Sequence, residues 1–134
     1  MLRLEQLVQS IPASNRKAWY VDGERINVAV RGGSRHQTIT IERVENLYRL
    51  ESVVLGTASV TKNVKRWRKL ALLVWEKNAQ HQIVTFGFDR RDRLVGHIEH
   101  QADYLDPEEL ELYVNTLARE CDRFEYLLTG KDLF

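Results

Sequence analysis

Residues 105–130, Leu-Asp-Pro-Glu-Glu-Leu-Glu-Leu-Tyr-Val-Asn-Thr-Leu-Ala-Arg-Glu-Cys-Asp-Arg-Phe-Glu-Tyr-Leu-Leu-Thr-Gly, carry the clearest structural signal in the chain. Asp106 is placed to cap a helix, Pro107 suits its first position, and Glu109 falls three residues after the cap, an Asp-x-x-Glu form of the capping box. Leu105 and Leu110 occupy the two positions of a hydrophobic staple. Leu110, Tyr113, Val114, Leu117, Cys121, Phe124 and Leu128 then recur on one face, and Gly130 is a suitable stop. A helix with one long apolar stripe needs a surface to cover, and the sequence upstream supplies strands for it.

Working back from that helix, Leu94, Gly96 and Ile98 alternate as a strand, and so do Val84, Phe86 and Phe88, with Asp89 to Asp92 as the turn between them. Residues 61–78 change to helical spacing. Val64, Trp67, Ala71, Val74 and Trp75 share a stripe expected to cover the sheet, and Thr61 is the expected N-cap. Further upstream, Leu47 to Leu55, the segment around Ile39 and Ile41, and Arg25 to Val30 alternate as three strands. Their turns are Glu45-Asn46 and Arg31-Gly32-Gly33-Ser34, the latter a hairpin rather than a P-loop because the Lys and helix of that motif are missing. Trp19-Tyr20-Val21 is an apolar triplet before an Asp22-Gly23 turn. Leu4, Leu7, Val8 and Ile11 read as a short amphipathic helix stopped by Pro12. The expected order is helix, three strands, helix, two strands, helix: an α+β chain (α-β-β-β-α-β-β-α), with residues 1–134 as a single domain.

Composition sets bounds on function. The chain has 134 residues, 43% hydrophobic and 29% charged, with two prolines and one cysteine. That is ordinary for a globular protein, without linker or disulfide framework, and suits a reducing compartment. The first residues include Glu5 and lack a continuous apolar run, unlike a secretory signal, and the run Leu70 to Trp75 is too short to span a bilayer. A cytoplasmic location and no membrane contact are expected. The net charge is +1, but residues 1–69 hold thirteen Lys/Arg against six Asp/Glu, and residues 70–134 hold seven against thirteen.

No constellation for catalysis emerges. His97 and His100 sit three apart on a strand and point to opposite faces, with no carboxylate expected beside them, so no metal or cofactor is expected. His36 and His81 stand apart from these two. Cys121 lies on the apolar stripe of the last helix and reads as a buried thiol. Asp89 and Asp92 read as turn residues, and the acids around Asp106 as capping and dipole partners.

Two stretches remain as binding candidates. Lys62, Lys65, Arg66, Arg68 and Lys69 place cations where they oppose the helix dipole, so they are candidate contacts to an acidic partner, with nucleic acid the less expected occupant. Trp67, Leu70, Leu72, Leu73 and Trp75 make the middle of that helix apolar on more than one face, which makes them candidate dimer-interface residues.

The order of elements resembles the YbjN family and the related fold of class I type III secretion chaperones. The residues that carry the resemblance are Asn78, Phe86, Phe88, Asp89, Leu94, Leu105, Asp106, Glu109, Leu110, Ala118 and Asp122, spread over roughly the second half of the chain. The resemblance implies a twisted antiparallel sheet with helices packed on it, a homodimer, no enzymatic activity, and a protein partner held as an extended segment. The chaperones are typically markedly acidic, whereas this chain is near neutral with a basic first half. The expectation is therefore a chaperone-like, YbjN-like binding module of another pathway.

Overall fold

The computed structural model describes residues 3–30, 33, 35–80 and 82–129. Much of the Arg31 to Ser34 turn, His81 and Gly130 lie outside the described residues. The elements in order are α1 (Leu4–Gln9), β1 (Trp19–Asp22), β2 (Arg25–Val30), β3 (Arg35–Val44), β4 (Leu47–Leu55), α2 (Thr57–Val60), α3 (Val64–Asn78), β5 (Thr85–Phe88), β6 (Leu94–Gln101) and α4 (Pro107–Thr129), with 3-10 turns at Ala13–Arg16 and Ala102–Tyr104.

The six strands form one antiparallel sheet in the order β1-β2-β3-β4-β6-β5. Alternation sets its two faces. Ile26, Val28, Ile39, Ile41, Leu50, Ile98 and Phe86 are buried on one of them, in register across the strands. Helix α4 lies over this face and buries Leu110, Val114, Leu117, Cys121, Phe124 and Leu128 against it, with Leu7 and Val8 of α1 joining the same core. The start of α4 is as its sequence dictates. The Glu109 amide donates to Asp106 Oδ1 at 2.8 Å, and the Asp106 amide donates back to Glu109 Oε1 at 3.4 Å.

One polar chain crosses from sheet to helix. Arg35 of β3 donates to Asp122 at 2.6 Å and to Glu125 at 2.8 Å, Gln37 donates to Glu125 at 3.0 Å, and Ser52 donates to Gln37 at 2.8 Å. Asp122, Gln37 and Ser52 are all buried, so these bonds replace the water each group loses. Beside them, Gly96 makes room for Cys121. A Cβ there would stand 2.6 Å from the Cys121 sulfur, closer than atoms can pack.

Three local readings are corrected. Trp19–Asp22 is an edge strand. It pairs with β2, and Trp19 is anchored by an Nε1–H bond of 2.8 Å to Asn115 of α4. Thr61 does not cap α3: its hydroxyl bonds back to the Thr57 carbonyl, closing the separate turn of α2, and Asn63 is the cap, accepting from the Arg66 amide at 2.7 Å. The stripe expected to cover the sheet is also rotated, for Leu70 and Val74 are buried whereas Val64, Trp67 and Trp75 face outward.

Candidate interaction surfaces

Helix α3 runs beside the β5 edge, and its last residue explains how it is held there. The Asn78 side chain donates from Nδ2 to the Phe86 carbonyl at 2.8 Å and accepts from the Phe86 amide at 2.9 Å. One amide side chain thus takes the place of a neighbouring strand along β5. Two further contacts tie the helix down. Trp67 stacks on Phe88 at 5.8 Å between ring centroids, and Lys77 Nζ lies 5.5 Å from the ring centre of Phe124.

The five candidate interface residues are therefore split. Leu70 is fully buried within its own chain and offers nothing to a partner. It is drawn inside because α3 rests on the core by the edge formed by Leu70 and Val74. Leu73 is half-buried against the same core. Trp67 is 44% exposed but keeps its stack on Phe88, while Leu72 is 57% and Trp75 68% exposed. Val64, not among the candidates, is also 68% exposed and lies on the same side as Trp75. The outward apolar patch of α3 is thus Val64, Leu72 and Trp75, with Trp67 at its border. Among the basic candidates, Lys62, Lys65, Arg68 and Lys69 are exposed and Arg66 is half-buried.

The other face of the sheet is open and polar. Arg49 bridges Glu51 at 3.2 Å and Glu99 at 3.1 Å, and Thr38 donates to Asn27 at 2.6 Å. A shallow trough of about 1170 Å³ follows this face, overhung by the Asp89–Arg93 turn. That turn is held by the Asp89 carboxylate, which accepts from the Arg91 and Arg93 amides, both at 2.9 Å, and from Arg93 Nε at 2.7 Å. Partial burial pushes the Asp89 pKa up, but those hydrogen bonds outweigh it and leave the group below its ordinary value.

His97 and His100 do lie on opposite faces, but each has a carboxylate nearby. His97 is 3.6 Å from Glu99, and His100 is 3.1 Å from Glu109. These carboxylates are brought in by the sheet pleat and by the docking of α4, which strand spacing alone does not reveal. Burial and the neighbouring Arg49 hold His97 below its usual pKa. No group of three His, Cys, Asp or Glu side chains gathers to hold a metal among the described residues. Burial pushes the Cys121 thiol up to about 12, which leaves it protonated and unreactive at neutral pH. No helix among the described residues is long and apolar enough to cross a membrane.

No protein-family model matches the chain, and no curated protein matches it in sequence. Solved structures do match. A chain of the HopA1–SchA chaperone–effector complex superposes with a TM-score of 0.54 over 93% of this chain and 98% of its own length, at 8% identity. A chain of the ExsC–ExsE complex superposes with a TM-score of 0.53 over 81% of this chain and 79% of its own, at 19% identity. The fold is type III secretion chaperone-like. At such identities the likeness concerns the path of the backbone and not any particular side chain.

Proposed function

We propose that the chain is a non-enzymatic, chaperone-like homodimer that holds a segment of a partner protein. The observation that carries this reading is the match of nearly the whole chain to a structure of a chaperone–effector complex. Two surfaces support it. The patch of Val64, Leu72 and Trp75 offers self-association a hydrophobic contact, since a lone soluble chain rarely leaves so much apolar surface together. The edge strand β1, with Tyr20 68% and Val21 40% exposed, offers a partner segment a strand to pair with. The near-neutral charge and the basic first half favour a client outside secretion proper and a YbjN-like role in the cytoplasm.

Capture from a native lysate, with bound proteins and nucleic acids both identified, tests the function. Recovery of a defined protein client supports it, and recovery of nucleic acid alone overturns it. Light scattering at micromolar concentration tests the dimer: a mass near twice 15.7 kDa is expected, and a mass near 16 kDa refutes it. The exposure of Lys62, Lys65, Arg68 and Lys69 supports a second reading, an acidic ligand or nucleic acid on residues 62–69. A steep fall of affinity with salt would mark phosphate contacts.

A further inference from the structure

The exposed side of α3 has an internal symmetry that its own chain does not use. Val64, Arg68, Ala71 and Trp75 follow one another at intervals of four, three and four residues, the spacing of a helix–helix seam. Three of these are apolar, and Arg68 interrupts them. Among the described residues the Arg68 side chain has neither an ion-pair nor a hydrogen-bond partner, although it projects between Val64 and the largely exposed ring of Trp75. Arg68 and Trp75 lie on either side of Ala71, the smallest residue of the seam. Along one flank run Lys65, Lys69 and Glu76, the cations toward the start of the helix and the single acid toward its end.

We propose that α3 docks on α3 of a second copy in antiparallel fashion, with the two-fold axis near Ala71. Arg68 of each copy then stacks on Trp75 of the other, and Glu76 of each lies between Lys65 and Lys69 of the other. The inference rests on the homodimer reading above and specifies its geometry.

The argument is one of self-complementarity. An isologous contact requires that if residue i meets j, then j meets i, and only the antiparallel arrangement gives Arg68 and Glu76 suitable opposites. A guanidinium on a Trp face is an attractive pair, and a lone acid between two cations is another. In a parallel arrangement Arg68 would face Arg68, and the lysines would face lysines, a repulsion with no compensation. Ala71 at the crossing lets the two backbones approach. The basic segment thereby becomes the complement of the second copy rather than a site for nucleic acid.

Single cysteines in the full chain test the register. Two α-carbons must come within about 7 Å for a disulfide. Ala71→Cys, at the axis, is expected to give a disulfide-linked dimer on mild oxidation. Val64→Cys is expected to give none, since its counterpart would lie roughly 20 Å away at 1.5 Å per residue. Charge exchange tests the flank. Glu76→Lys, and separately Lys65→Glu with Lys69→Glu, should each weaken self-association about tenfold, and mixing the two variants should restore it. All four positions are exposed, so thermal melts should show folded protein throughout. A disulfide at Val64→Cys but not at Ala71→Cys, or no recovery on mixing, overturns the antiparallel seam while a twofold mass leaves the dimer standing. A wild-type mass near 16 kDa overturns both.

Discussion

Replacing Asn78 by Ala should remove both side-chain bonds to Phe86 and expose how α3 is fixed to the sheet. Phe86 is only 3% exposed, and Asn78 is itself half-buried, so water cannot replace the lost partner freely. A buried backbone group left unpaired costs about 1–3 kcal/mol. Two groups are affected, and some relaxation toward solvent is available at the sheet edge, so a loss of about 2–3 kcal/mol is the expected outcome. For a chain of this size that lowers the melting temperature by roughly 6–12 °C. Urea unfolding followed by circular dichroism measures the stability, and hydrogen exchange at the Phe86 amide locates the effect. Asn78→Asp separates the two bonds. Its carboxylate can still accept from the Phe86 amide, but it places negative charge against the Phe86 carbonyl, so it should rescue amide protection without rescuing stability. A loss below about 0.5 kcal/mol for Asn78→Ala, or an unchanged exchange rate at Phe86, would refute the idea that this side chain stands in for a strand.

Four further outcomes are expected. Asp106→Ala should cost about 1 kcal/mol through the lost N-cap, read from the same urea curves. Gly96→Ala should destabilise by about 1–3 kcal/mol through overpacking against the Cys121 sulfur, and adding Cys121→Ala should recover part of that loss. Cys121 in the native protein should react with a thiol reagent only as fast as the chain unfolds, and rapid, complete labelling would contradict its burial. Asp89 is held below its ordinary pKa of 3.8, so its contribution is present above that value and fades as pH falls through the lower folded one; Asp89→Asn should flatten the acid side of the stability–pH curve.

Mutation of the α3 patch depends on which side each leucine faces. Leu72→Asp should yield monomer that is still folded, because Leu72 faces outward, while Leu73→Asp should impair folding as well, because Leu73 packs on the core. Arg91→Asp, in the distant turn, should leave the mass unchanged.

The amino-acid sequence alone determined the parts of this protein that depend on neighbours in the chain. The start of α4 was legible because Asp106 and Glu109 satisfy each other's backbone amides across a single turn. Strands β2 and β4 were legible because alternation records which face is covered. Asn78, Phe86, Asp89 and Asp122 were noticed through a family resemblance, but their bonds to one another, to Arg93 and to Arg35 appeared only once the chain was folded. Tertiary structure decided the rest. On α3 the apolar residues circle most of the helix, so periodicity could not say which would be buried. The helix rests on β5 and the end of α4 along the Leu70–Val74 edge, and that geometry turns Trp75 and Leu72 to solvent. β1 has too few residues to show a period of its own. It becomes a strand only because β2 provides its hydrogen bonds and Asn115, ninety-six residues away, holds Trp19 in place.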